Sequence, residues 1–255
     1  MEAELYRDMF SNEEKFWWFA ARRRIVLELI RRYAPDARQL ADLGCGSGYT
    51  LHAFAPFFQQ VTGLDSSPEA IEFAKQRGIE VVKGSLPGEV PLKPDTFDVV
   101  LMMDVLEHLE EDKAGAMAGV NLVSPGGIII ATVPAHQWMW TCRDERHHHK
   151  RRYSKAQLGK LFHGLPLEKV LLSYFNSILF PLMALDRMIS RITGRGEVGS
   201  DTVPPAGIIN RAMEEAFALD RYMLGRIPII WGGSVIAVYR KKQQPTTRKP
   251  TPAVL

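Results

Sequence analysis

Only two cysteines, Cys45 and Cys142, occur in 255 residues. They support neither a disulfide framework nor a cysteine-based metal centre, and a reducing, cytoplasmic setting is expected. An excess of charge is also missing: 32 basic against 29 acidic side chains leave a net +3, so nothing demands nucleic acid as a partner. The first residues, MEAELYRDMF, are too acidic and too broken by charge for a secretory signal. The longest apolar stretch, LLSYFNSILFPLMALDRMIS, is interrupted by Asn176, Pro181, Asp186 and Arg187, which argues against a membrane-spanning helix. Glycine is sparse at 20 residues, yet three fall within five positions in ADLGCGSGYT: Gly44, Gly46 and Gly48, two residues behind Asp42. A tight loop between a buried strand and a helix would need them, and so would a ligand seated against bare backbone.

What is present alternates. Ser11 and Glu14 make a capping box before NEEKFWWFAARRRIVLELIRRY, which reads as a helix. ARQLADLG, QVTGLD, IEVVKG, FDVVLMMD and IIIATVP read as strands. Helical segments separate most of them, the clearest being SSPEAIEFAKQRG with Ser67 as N-cap, Pro68 in its first turn and Gly78 as its stop. SPGG is expected to turn the chain before the fifth strand. Repeated strand–helix units with wholly apolar strands predict a parallel sheet covered on both faces. After Ser154 come a capped helix, SKAQLGKLFHG, a strand, LEKVLLSYF, and a helical stretch broken by TGRGEVGSDTVPPAG. GGSVIAVYRKK supplies the last strand. The separation of the last two strands predicts an insertion over 174–230, and the Pro/Thr/Lys-rich tail, 243–255, is expected to be disordered.

The spacing D-x-G-x-G-x-G departs from the dinucleotide fingerprint G-x-G-x-x-G. Asp65 ends the second strand 21 residues after Gly44, placed to accept hydrogen bonds from ribose hydroxyls in either case. ADLGCGSGYT, GLDSSPEAIEFA, FDVVLMMDVLEHL and SPGGIIIATVP, in that order, together resemble the class I S-adenosylmethionine-dependent methyltransferases. The resemblance implies an α/β, Rossmann-like sheet of seven mostly parallel strands with the last antiparallel, and S-adenosylmethionine as cofactor. It further implies that Gly44, Cys45, Gly46 and Gly48 pack against the cofactor, that Asp42 orients its ammonium group and that Asp65 holds the ribose, with Ser66 beside it. Ser85 and Leu86 fall where the family contacts adenine, although Ser85 stands where an Asp is common. Met103 and Asp104 close the cofactor site from the fourth strand. The N-terminal region, 1–36, is expected to be a helical flap that brings Arg22 to the cofactor's carboxylate, with ordinary helix-to-sheet packing as the plainer alternative.

Asp104, Glu107 and His108 in DVLEH would share one face of a helix. His108 is a candidate base; a cation site there and simple packing around the cofactor are the alternatives. WMWTCRDERHHHKRRYS resembles a bacterial methyltransferase branch with W-x-W and H-x-R-R-Y motifs, matched here by Trp138, Trp140, Asp144, His149, Arg151, Arg152 and Tyr153. Trp138, Trp140, Arg151 and Tyr153 are expected to line an acceptor with an acidic part, with His149 as a second candidate base. A pairing of Arg151 and Arg152 with Glu214 or Asp220, to dock the insertion, is the rival reading. No metal is expected, because side chains of adjacent histidines diverge. The expected core spans 37–173 and 231–242, with 174–230 as an acceptor lid. The expected function is O-methylation of a small-molecule or lipid-linked acceptor, with peripheral membrane contact of the lid as one option and the oligomeric state open. A nicotinamide-dependent oxidoreductase and a cofactor-binding scaffold without turnover are the rivals.

Overall fold

The computed structural model describes residues 7, 10–193 and 204–243. The expected tail from residue 244 on, and most of the break TGRGEVGSDTVPPAG, lie outside the described residues.

Helix α1, Trp17–Tyr33, buries Trp17, Ala21, Ile25, Val26, Leu29 and Ile30, a spacing that makes one continuous apolar stripe. It starts later than the Ser11–Glu14 pattern predicts. Ser11 Oγ donates to Arg7 O at 2.9 Å instead of capping, and the carbonyls of Glu13 and Glu14 accept from Arg23 at 2.9 and 3.0 Å. The chain therefore turns at 13–15 before α1 begins.

Five strands follow in the expected places: β1 Gln39–Leu43, β2 Gln60–Asp65, β3 Val81–Lys83, β4 Phe97–Met103 and β5 Val123–Pro134. Between them lie α2 Tyr49–Phe54, α3 Pro68–Gln76 and α4 Asp112–Leu122. Ser67 caps α3 by accepting from Ala70 N. SPGG does not separate a turn from a strand. It runs inside β5, where the pairing with β4 shifts register between Phe97 and Val99, the local irregularity that absorbs the extra residues.

Two short helices, α5 Cys142–Arg146 and α6 Lys155–Leu161, lead to β6 Leu167–Phe175. Then come α7 Phe180–Thr193, α8 Gly207–Ala218, α9 Asp220–Met223 and β7 Ser234–Lys241. The sheet order is β3-β2-β1-β4-β5-β7-β6. β7 runs antiparallel to both its neighbours, and the pairs among β1 to β5 are parallel.

Alternation along β4 sorts the core. Val99 and Leu101 face a cluster with α1 and Phe217 of α8, while Val100 and Met102 face Ala116 and Val120 of α4 and Leu158 of α6. Burial on both faces explains the wholly apolar strands. The segment between β6 and β7 begins after Phe175, which pairs with Ser234, rather than at residue 174. Its α8 lies along α1: Phe217 packs between Trp17, at 6.0 Å, and Phe175, at 5.6 Å. Asn210 accepts from Trp17 N at 3.0 Å and donates to Lys15 O at 2.7 Å.

Candidate active site

The loop after β1 is shaped by its glycines. Gly44, Gly46 and Gly48 have φ of 75°, 55° and 75°, and a Cβ on Gly44 would stand 2.7 Å from Val105 Cγ2. A side chain at position 44 is thus refused twice, by conformation and by space. The N–H groups of Gly44 and Cys45 both donate to Leu64 O, at 2.7 and 3.1 Å, binding the loop to β2. Gly46 N donates to Asp65 Oδ2 at 2.8 Å, and Ser67 N to Asp65 Oδ1 at 2.9 Å. Each Asp65 oxygen retains a free acceptor site after these bonds, so Asp65 fixes the loop and can still accept from a diol.

Asp42 is buried and its Oδ1 has no hydrogen-bond partner among the described residues. Burial pushes its carboxyl up to about 7, with Arg22 pulling the other way and Asp65 adding to the rise. An orphaned buried carboxylate next to bare backbone is what a cationic ligand group would satisfy.

Arg22 donates to Asp104 Oδ2, whose Oδ1 accepts from Thr132 Oγ1 at 3.2 Å. The guanidinium also lies 4.4 Å over the Trp18 ring. Arg22 is thus committed to a protein carboxylate at the end of β4, while its Nε has no partner among the described residues. Ahead of α1, Glu13 is buried and accepts from Ser47 Oγ and Arg77. Arg77 in turn donates to Ser47 O at 2.7 Å and Phe10 O at 3.0 Å. The segment 10–16 therefore crosses the glycine loop and is anchored to it.

Met103 is buried at the end of β4. Ser66 and Ser85 are exposed, after β2 and β3, and Ser85 exchanges backbone hydrogen bonds of 2.7 and 2.8 Å with Glu89. Every expected cofactor residue except Arg22 thus comes from the carboxyl ends of four adjacent parallel strands or the loops after them, the edge where open α/β sheets bind ligands.

The DVLEH stretch is not an α-helix. Asp104 has φ of 56°, and only Leu106–His108 form a short 3-10 turn. The shared face predicted for Asp104, Glu107 and His108 is therefore replaced by a division: Asp104 turns to Arg22, while Glu107 and His108 meet His149. Ligating atoms of Glu107, His108 and His149 all lie within 4.8 Å of one another. The rings of His108 and His149 are 4.7 Å apart and nearly perpendicular. Lys150 N donates to Glu107 O at 2.7 Å, tying the two loops together. Glu107 is fully buried, and neither carboxylate oxygen has a partner among the described residues. Burial raises its proton affinity well above that of an ordinary carboxyl, and Asp104 adds to it. Burial, then His149 and His147, lower His108 to about 3.

Asp144 organises this loop. It accepts from Thr141 N at 2.9 Å, from Arg152 Nε at 2.8 Å and terminal nitrogen at 2.9 Å, and from His149 Nδ1 at 2.8 Å. Burial would raise its carboxyl, yet the bonds from His149 and Arg152 hold it well below the usual range. Bonding to Asp144 through Nδ1 points the other ring nitrogen of His149, Nε2, away from that carboxylate.

Two expected acceptor residues are placed otherwise. Arg151 donates to Asp112 Oδ2 at 2.9 Å and to Glu110 O at 3.2 Å. Tyr153 is buried and its hydroxyl donates to the same Asp112 oxygen at 2.8 Å. Both clamp the loop to the start of α4. The rival docking role fails as well: Arg152 is taken by Asp144, Glu214 by Arg24 and Asp220 by Ser177. Trp138 is exposed and Trp140 half-buried.

A residue missed in the sequence stands next to Trp138. His136 stacks on Tyr174 at 4.9 Å and lies 5.3 Å from Phe180 of α7. Its Nε2 is buried without a partner among the described residues. Its only signal was its position just past the end of β5. A hollow of about 530 Å³ between Lys15 and the start of α8 touches none of these groups.

A family profile described as a methyltransferase domain matches residues 41–131. The mitochondrial ubiquinone biosynthesis O-methyltransferase of Schizosaccharomyces pombe is 30% identical over 149 residues, covering 49% of this chain and 54% of that one. The chain spans about half the length of the curated relatives it matches. A SAM-dependent methyltransferase from Archaeoglobus fulgidus shares the fold at a TM-score of 0.53 and 19% identity, over 86% of this chain and 94% of that one. The [4+2]-cyclase SpnF does so at 0.53 and 20%, over 86% and 82%. The fold and the loop define a Rossmann-like, ligand-binding α/β protein. Residues 41–131 thus match a methyltransferase domain, and the fold is one that solved S-adenosylmethionine-dependent methyltransferases share.

Proposed function

We propose that this protein transfers a methyl group from S-adenosylmethionine to oxygen on a lipid-linked acceptor. The observation that carries the cofactor half is the pair Asp42 and Asp65: one buried carboxylate with an orphaned oxygen, one with spare acceptor capacity, both beside the glycine loop. They suit an ammonium group and a ribose diol respectively. Gly44, Cys45, Gly46 and Gly48 would lie along the amino-acid part, Ser66 beside the ribose, and Ser85 and Leu86 by the base. The cofactor supplies an already activated methyl group, so the protein's work is alignment. Arg22 and the segment 10–16 act as a flap, with Arg22 reaching the site through Asp104.

The acceptor half rests on the loop after β5. His108 and His149, side by side, would take the proton from an acceptor hydroxyl bound next to them. Trp138, His136 and Phe180 give an aromatic wall, and the relatives named O-methyltransferases support oxygen as the methylated atom. Helix α7 continues that wall outward: Leu182, Leu185, Met188, Ile189 and Ile192 are exposed at three- and four-residue spacing. An exposed stripe of this kind favours an acceptor drawn from a lipid surface. Among the described residues no helix is long and apolar enough to cross a membrane, so the contact proposed is peripheral.

The test uses methyl-labelled S-adenosylmethionine and a total lipid extract. Label recovered in the organic phase as a base-stable ether supports the reading. Binding of S-adenosylhomocysteine with label appearing only in water-soluble product would remove the lipid acceptor. NADH binding without any S-adenosylhomocysteine binding would remove the whole proposal.

A further inference from the structure

We propose that His149, and not His108, is the base that takes the acceptor's hydroxyl proton, and that Asp144 is the residue that positions it. The assignment rests on the methyl-transfer reading and gives the two neighbouring histidines different work.

The two rings stand 4.7 Å apart but are held differently. His108 is hydrogen-bonded to the backbone of His147, and burial, followed by His149 and His147, lowers its pKa to about 3. A nitrogen that binds protons so weakly is poorly matched to a hydroxyl at neutral pH. His149 instead has a carboxylate behind it, with Nδ1 2.8 Å from Asp144 Oδ1. Burial works against ionisation of Asp144, yet the bonds from His149 and Arg152 hold its carboxyl well below the usual range. On this assignment Nδ1 keeps its hydrogen toward Asp144 and Nε2 takes the proton. A carboxylate so placed fixes the ring's direction and stabilises the imidazolium that forms.

Asp144 does not need His149 to hold its loop. Arg152 Nε and a terminal nitrogen reach its two oxygens at 2.8 and 2.9 Å, and Thr141 N donates to it at 2.9 Å. The bond to His149 is added to a loop already fixed, as expected of a side chain being aimed. Lys150 N donates to Glu107 O at 2.7 Å and Tyr153 N to Pro134 O at 2.9 Å, so residues 149–153 bridge the ends of β4 and β5. That places His149 beside the candidate cofactor edge. Its side chain is 15% exposed, against 1% for Asp144: the ring can be reached while the carboxylate is shut away from water.

The groups facing His149 are Asp144, Arg152 and His147 from its own loop, and Glu107 and His108 from the turn after β4. Burial, with Asp104 adding to it, raises the proton affinity of Glu107 well above that of an ordinary carboxyl, so the anionic partner of the ring is Asp144. In the step itself an O–CH3 bond forms as the sulfonium S–CH3 bond breaks. The electron pair of the broken bond stays on sulfur, leaving a neutral thioether, and the hydroxyl proton passes to Nε2. Positive charge thus moves from sulfur to the imidazole, which later releases the proton to water.

The experiment uses the full chain, methyl-labelled S-adenosylmethionine and a total lipid extract, with S-adenosylhomocysteine binding by each variant measured in parallel. His149→Ala should bind S-adenosylhomocysteine like the wild type while label transfer falls about 100-fold or more, and added imidazole should restore about 10-fold of that. His149→Gln takes its place if the alanine variant does not fold. His108→Gln should cost less than about 10-fold. Asp144→Asn should lower the maximal rate about 10-fold or more without changing the amount of extract that gives half of it, and Asp144→Glu should recover part of the loss. Nitrogen NMR of histidine-labelled protein, read without any acceptor, should show His149 in its Nδ1–H form and a changed mixture in Asp144→Asn.

A larger loss in His108→Gln than in the His149 variants, or an Nε2–H form of His149 in the wild type, overturns the assignment. Parallel loss of transfer and of S-adenosylhomocysteine binding in both Asp144 variants makes Asp144 a loop support and overturns its positioning role. No transfer by wild-type protein that shows the Nδ1–H form removes the methyl-transfer reading, and the base role with it.

Discussion

Arg22 on α1 donates to Asp104 just beyond β4, joining the helix that precedes the sheet to the strand edge where the candidate cofactor residues gather. Either partner alone is a burden, since Arg22 is 8% and Asp104 21% exposed at the side chain. Asp104→Asn should lower stability by roughly 1–3 kcal/mol, the scale of a charged hydrogen bond. It should also weaken S-adenosylhomocysteine binding, and Arg22→Ala should show the same pair of losses. A double-mutant cycle read by calorimetry checks this, because coupled residues give losses that do not add.

Asp65→Ala removes the acceptor for Gly46 N and Ser67 N together with the proposed ribose contact. Cofactor affinity should fall by about 1–3 kcal/mol. Isothermal titration with S-adenosylhomocysteine measures it, and an unchanged affinity would remove Asp65 from the site.

Asp42 gives a pH signature. Its folded carboxyl sits at about 7, raised from 3.8 chiefly by burial. Between those values the folded chain keeps a proton that the unfolded chain has lost, so this residue's contribution to stability is full below pH 4 and is lost as pH rises toward 7. An ammonium group bound beside it favours the ionised form. Cofactor binding at pH 6 should therefore release a proton, and affinity should rise from pH 5 to 7 and then level off. Titration in two buffers of different ionisation heat counts the proton, and Asp42→Asn should flatten the profile.

The contact of α8 with α1 tests which force docks the insertion. Arg24 pairs with Glu214 and Glu215 at 3.0 and 2.7 Å, but Arg24 is 35% and Glu215 53% exposed. Arg24→Ala should cost no more than about 1 kcal/mol. Phe217, fully buried between Trp17 and Phe175, should cost about 3–5 kcal/mol on change to alanine. Urea melts of the two variants compare them directly.

Features set by local chemistry were legible in the sequence. Ser67 before Pro68 caps α3 because both effects act within one turn, and the apolar strands declared a sheet buried on both faces. Features set by distant partners were not. The Ser11–Glu14 pattern fails as a helix start because Arg23, Ser47 and Arg77 capture the neighbouring groups of the segment 10–16. Arg151 and Tyr153 looked free to bind an acceptor until Asp112, about forty positions earlier in the chain, claimed both. Glu107 gave no hint of its isolation, since burial without partners is a property of the fold. Asp144 carried a motif but not its role, which depends on Arg152 and His149 folding back around it.

Phe175 and Ser234 are paired neighbours on β6 and β7, so the chain leaves the sheet and returns to it through a single doorway. Gly232 makes that doorway narrow: a Cβ there would lie 2.3 Å from Phe175 O. A segment hinged in this way can be lengthened, shortened or exchanged while the seven strands keep their register, because loop closure depends only weakly on length. If the segment is the proposed acceptor lid, such exchange would change the acceptor while leaving the cofactor side of the sheet as it is.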